Sequence, residues 1–124
     1  MTTTLTIDIP SEWWHTSNDR GHWTKFAPRK KRIRLAAFLL GRSHPAGPFE
    51  VAHVTAYIGY PRAGRADPGN ASPVVKAALD GLTDAGYWAD DDSEHVIGPD
   101  YRRDPDTKRP GIHTLRLVIE EERP

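Results

Sequence analysis

Apolar residues alternate at the start of the chain and turn helical further on. Leu5, Ile7 and Ile9 alternate with Thr4, Thr6 and Asp8, the period-two pattern of a strand buried on one face, and Pro10 ends it. Ser11 to Ala27 carries Trp13, Trp14, Trp23 and Phe26 among Ser, Asn, Asp, Gly and His with no sustained period, which predicts a long loop. Ile33, Ala36, Ala37 and Leu40 then recur at helical spacing. Pro28 suits a first turn and Gly41 a stop, so the first helix is predicted over roughly Pro28 to Leu40. From Phe49 to Tyr60 apolar residues fall on both alternating faces, as in a central strand.

Pro61 to Gly69 is turn-forming, after which Ser72 and Pro73 read as an N-cap and first helical residue. Val74, Val75, Ala78, Leu79, Leu82 and Ala85 form one apolar stripe that Gly86 closes. His95 to Ile97 and Ile112 to Glu120 read as two further strands. The order β-α-β-α-β-β predicts an α+β layer fold, two helices on one mixed sheet. The 124 residues suit a single domain spanning 1–124.

Composition narrows the setting. There is no cysteine, which excludes disulfides and zinc–thiolate sites and points to a reducing compartment, the cytoplasm. Met1 to Pro10 lacks the charged and apolar regions of a secretory signal, so export is not expected. The longest apolar run, Leu35 to Leu40, is far short of the ~20 residues that span a bilayer, so no membrane association is expected.

Net charge is zero, unlike that of a protein that merely coats nucleic acid. The charges are nevertheless segregated. Arg20, Lys25, Arg29, Lys30, Lys31, Arg32 and Arg34 cluster with no acid between Arg20 and Phe49, whereas Asp80, Asp84, Asp90, Asp91, Asp92, Glu94, Asp100, Asp104 and Asp106 fill a later stretch. In a helix starting at Pro28, Arg29 to Arg32 oppose the helix dipole at a cost of ~0.3–1 kcal/mol per charge. Phosphates would favour cations there.

The chemistry concentrates in one stretch: Arg65-Ala66-Asp67-Pro68-Gly69-Asn70, then Lys76, Asp80-Gly81-Leu82, and Ala85-Gly86-Tyr87-Trp88-Ala89-Asp90-Asp91-Asp92. Carboxylates bracket the second helix, and Lys76 and Asp80 lie one turn apart on its polar face. Clustered carboxylates repel unless a hard cation lies between them, and Mg²⁺ takes such oxygen ligands while keeping several waters. Metal, carboxylates and lysine together suit phosphodiester hydrolysis. Equally, the same residues fit a solvated acidic loop and a surface ion pair.

From Arg65 to Asp91 the chain resembles the RusA family of Holliday-junction resolvases. The shared features are an Arg/Asp loop followed by Asn, a helix with a lysine near its start, Asp-Gly-Leu, an Ala-Gly-aromatic turn and paired aspartates. The likeness extends to the first strand, the Ser17-Asn18-Asp19-Arg20 loop and the basic helix. It implies a homodimeric, Mg²⁺-dependent endonuclease acting on branched DNA and four-way junctions in recombination and repair, with Mn²⁺ able to substitute.

Carried over by position, Asp67, Lys76 and Asp91 resemble the catalytic residues. Asp67 and Asp91 would ligate the metal, with Asp80 and Asp90 as further ligands, Asp80 favoured of the two. Arg20, Arg29, Lys30, Lys31, Arg32, Arg65 and Asn70 would contact DNA. The chain departs from the family pattern at Gly69, where a second loop carboxylate is usual, and in a longer stretch between Asn70 and Lys76. Two alternatives stay open: a catalytically silent junction-binding relative, and a structural or interaction protein in which basic and acidic regions pair between subunits. None of the six histidines has zinc-helix spacing. Trp13, Trp14 and Trp23 fit base stacking, core packing or a dimer interface.

Overall fold

The computed structural model describes residues 1–122. Along the chain run β1 (Thr2–Pro10), α1 (Trp23–Ser43), β2 (Ala52–Gly59), a 3₁₀ turn (Pro68–Ala71), α2 (Ser72–Asp84), β3 (Val96–Arg103) and β4 (Ile112–Glu121). The α+β class and two helices agree with the sequence pattern. The 3₁₀ turn is additional, and the strands lie side by side as β1-β4-β2-β3, not in chain order. β4 pairs antiparallel with both β1 and β2, while β3 pairs parallel with β2.

Register brings the apolar residues into rows. Ile7, Leu115 and Ile58 pair across three strands, as do Leu5, Leu117 and Ala56. All six are buried, and the helices meet them through Ile33, Ala37, Val74, Val75, Ala78 and Leu82 in one cluster. β3 is longer than the predicted His95 to Ile97. Its alternation is weak because it is an edge strand, a position that tolerates Pro99. A register irregularity between His53 and Thr55 faces Gly98, whose φ of 96° and closeness to the Val54 carbonyl leave no room for a side chain.

The first helix begins five residues before the predicted Pro28. Its cap is His22, whose side chain accepts from the Thr24 N–H, and Trp23 is its first residue. Pro28 therefore lies inside the helix and removes one backbone bond, to the Thr24 carbonyl. Arg29 to Arg32 are consequently mid-helix, and the expected conflict with the dipole does not arise, since that effect fades beyond the first turn.

The helix also runs through Gly41 to Ser43. Gly41 serves close packing instead of termination: a Cβ there would lie 2.9 Å from that of Ala85 on the α2 side. Gly81 of α2 answers it, with the Arg34 carbonyl 2.3 Å from where its Cβ would be. The two helices thus approach backbone to backbone. Ser72 is not the cap of α2. Ala71 holds that position because the 3₁₀ turn runs directly into the helix, placing Pro73 in the first turn. Gly86, at φ 90°, ends α2 in a Schellman arrangement, with Gly86 N–H donating to Thr83 O and Tyr87 N–H to Leu82 O.

Candidate functional site

The acidic turn is aimed by its aromatic residues. Just after α2, Tyr87 and Trp88 are buried in the core. The Tyr87 hydroxyl donates to the His44 carbonyl, and Trp88 Nε1 donates to Thr83 Oγ1 at 2.6 Å. With these two pinned, the chain turns back along α2. Asp91 reaches the polar face of the helix with its side chain only 11% exposed.

There Lys76 Nζ donates to Asp80 Oδ1 at 2.8 Å and to Asp91 Oδ2 at 2.5 Å. One ammonium bridges two carboxylates from separate elements. Hydrogen bonds to Asp80 and Asp91 hold the Lys76 pKa above its ordinary value. Burial pushes the Asp91 carboxyl up, but the hydrogen bond and charge of Lys76 outweigh it and leave the pKa lowered. Both shifts favour the charged pair at neutral pH.

Asp80 and Asp91 present hard oxygen donors that converge on a cationic group, as a divalent ion would require. Among the described residues, however, no three His, Cys, Asp or Glu side chains come together to hold an ion. Two carboxylates are still compatible with Mg²⁺, which completes its shell with water. Asp67 is not part of this pair. It caps the 3₁₀ turn, its Oδ1 accepting from Gly69 N–H at 3.1 Å, and is exposed. Asp90 turns to its own backbone, accepting from Asp91 N–H at 2.8 Å. Of the two further ligands expected, Asp80 is the one that shares the Lys76 ammonium with Asp91.

The basic residues divide between surfaces. Lys30 and Lys31 line a groove of about 250 Å³ together with Arg34, Pro73, Lys76 and Asp80, so the cationic helix faces the lysine–carboxylate cluster. Arg29 and Arg32 lie around the helix beside Trp13. Arg29 Nη1 is spent on the Trp14 carbonyl at 2.8 Å, which fastens the 11–22 loop to α1. Arg20 is exposed in that loop, and Arg65 lines a different hollow beyond β2. Asn70 works as a structural clasp, its carbonyl accepting from Ser17 N–H at 2.9 Å and its Oδ1 from Ser17 Oγ at 3.4 Å.

Arg34, part of the basic cluster but not among the residues expected to contact DNA, forms a two-pronged ion pair with Asp84 at 2.7 and 2.9 Å on the rim of the groove. No local signal marks this pair, because the partners are 50 residues apart. Trp13 and Trp14 are packed against the core, Trp14 stacking on His113 at 3.8 Å, whereas Trp23 is 70% exposed. His53 is half-buried and bonded to Asp100 at 2.7 Å. No described helix is long and apolar enough to cross a membrane. In comparisons with models of known protein families and with curated proteins, nothing matches this chain.

Proposed function

We propose that the protein is a Mg²⁺-dependent endonuclease that hydrolyses phosphodiester bonds in branched DNA, four-way junctions in particular, working as a homodimer in the cytoplasm. The observation that carries this reading is the lysine bridging two carboxylates at the foot of a groove walled by Lys30, Lys31 and Arg34. Phosphate-binding cations and metal-type ligands then share one surface.

When bound, Mg²⁺ would polarise a phosphoryl oxygen and make an attacking water more acidic. Asp80 and Asp91 would hold it. Lys76, beside both, would neutralise charge that builds on the phosphate during attack. Lys30 and Lys31 would hold the strand by its phosphates without reading sequence. A four-way junction has approximate two-fold symmetry, so a dimer would present one such site to each of two strands.

The family resemblance adds a role for Asp67 as a ligand, which would require the 3₁₀ turn to bring that carboxylate toward Asp91. A second reading has its own support: with Gly69 where an acid is usual and Asp67 bound to its own turn, the chain suits a junction-binding protein that does not cut. The two readings part on a single result, nicked product on addition of Mg²⁺ or Mn²⁺ to the protein–junction complex.

Lys30→Ala with Lys31→Ala is expected to weaken junction binding and to flatten the slope of log affinity against log salt. Each phosphate contact contributes ~0.9 to that slope on duplex DNA, so the change should be about one to two. Both residues are exposed in mid-helix, where alanine is well tolerated, so thermal stability should stay the same. An unchanged slope across a salt series would remove the groove from the DNA surface.

A further inference from the structure

A second cationic hollow lies between the end of β2, the 61–66 loop, β3 and β4. Its volume is about 400 Å³, and none of its lining residues belongs to the Lys76–Asp80–Asp91 cluster. Three arginines, Arg62, Arg65 and Arg103, line it, and no acidic residue does. Arg62 and Arg65 are exposed and have no carboxylate or hydrogen-bond partner among the described residues. Arg103 is fixed in place: its Nη1 donates to the Gly64 carbonyl at 2.6 Å, its Nη2 reaches Asp106 at 3.3 Å, and its guanidinium lies 5.0 Å from the Tyr60 ring centre. That bond ties the arginine-bearing loop to β3.

The aromatic lining is closely packed. His113 stacks on Trp14 with ring planes 9° apart and meets Tyr60 edge-on at 5.5 Å. Burial lowers the His113 pKa to about 4 and raises that of Tyr60, so at neutral pH the ring is uncharged and the phenol keeps its proton. The positive charge of the hollow therefore comes from its arginines. Two unpaired guanidiniums, Arg62 and Arg65, around one cavity with Arg103 fixed beside them suit a tetrahedral oxyanion, because their N–H forks match phosphate oxygens.

We propose that Arg62, Arg65 and Arg103 form a phosphate-binding site, separate from the Lys76 cluster, that holds a phosphodiester of a nucleic-acid strand. The phosphate chemistry stands on the hollow alone. The strand as its source rests on the nuclease reading and deepens it: a strand cut at Lys76 would be gripped a second time, by arginines outside that cluster.

The test follows arginine Nε–Hε NMR signals of the full chain without divalent metal, titrated separately with inorganic phosphate and with a short single-stranded oligonucleotide. Both ligands should shift the Arg62, Arg65 and Arg103 signals, the oligonucleotide at lower concentration. Arg62→Ala with Arg65→Ala, both exposed and outside the core, should weaken the oligonucleotide response by about tenfold or more, as expected when charged hydrogen bonds are removed. Arginine signals that move with phosphate but not with oligonucleotide would overturn the strand as source. Signals that move with neither would overturn the site itself. Arginine shifts with oligonucleotide in a protein that never cuts DNA would support this site while rejecting the nuclease reading, so the two failures are distinct.

Discussion

Asp91→Asn should abolish Mg²⁺-dependent cutting of a four-way junction while leaving junction binding within a few-fold of the parent. Asn can still accept a hydrogen bond from Lys76, so the turn after α2 keeps its anchor, and Tyr87 and Trp88 remain buried. What is lost is one of two carboxylates able to hold a divalent ion. An interaction of several kcal/mol in the transition state corresponds to a rate loss of about 10²-fold or more.

The same substitution has a pH signature. Because Asp91's pKa is lowered in the fold, its contribution to stability is present above the ordinary carboxylate range and disappears as pH falls through the lowered value. Melting curves from pH 6 down to pH 3 should therefore show a smaller acid-induced loss for Asp91→Asn than for the parent. A variant that cuts at the parental rate would take Asp91 out of the chemistry. Identical acid sensitivity would show that the Lys76 pair contributes no measurable stability.

Gly81→Ala should lower stability, although alanine normally favours a helix interior over glycine by ~1 kcal/mol. The added Cβ would lie 2.3 Å from the Arg34 carbonyl, 2.8 Å from Ala37 Cβ and 3.0 Å from the Phe38 nitrogen. Two of these are backbone atoms of α1 and cannot turn aside. The helices must separate, and such overpacking typically costs about 1–3 kcal/mol. For a chain of this size that is roughly 3–5 °C in Tm for each kcal/mol. The crossing of α1 and α2 also sets how Lys30, Lys31 and Arg34 stand over Lys76, so junction affinity should fall with it. A Tm equal to or above the parent's would mean that the helices are not in close contact at Gly81.

Local signals explain what could be read from the chain. β1, α2 and β4 each bury one clean face, period two for Leu5, Ile7 and Ile9 and helical for Val74, Ala78 and Leu82, so pattern alone located them. The start of α1 was hidden because Trp23, Thr24 and Lys25 are all exposed and contribute no apolar stripe, while Pro28 resembles a beginning. β3 was hidden by its exposure and by the Gly98-Pro99 break. The sheet order depends on pairings such as Thr2 with Glu120, which no local pattern encodes.

The site divides in the same way. Lys76 with Asp80 follows from spacing of one helical turn, and the structure pairs them at 2.8 Å. Asp90 to Asp92 follow the helix in sequence, but only the resemblance singles out Asp91, since the tertiary fold is what brings a residue 15 positions away onto the same ammonium. Asp67, adjacent to the helix in sequence, is instead held by Gly69 in its own turn. The grouping of Arg62 and Arg65 with Arg103 crosses from a loop to a strand and left no trace in the linear pattern.

The most direct measurement incubates the protein with an end-labelled four-way junction and, separately, a linear duplex of matching sequence, each with and without Mg²⁺. The nuclease reading predicts a metal-independent complex with the junction, paired nicks on opposing strands once Mg²⁺ is added, and an uncut duplex. A stable junction complex that gives no product in Mg²⁺ or Mn²⁺ would contradict cleavage and leave a binding protein, and the absence of any salt-sensitive complex would contradict nucleic acid as the partner.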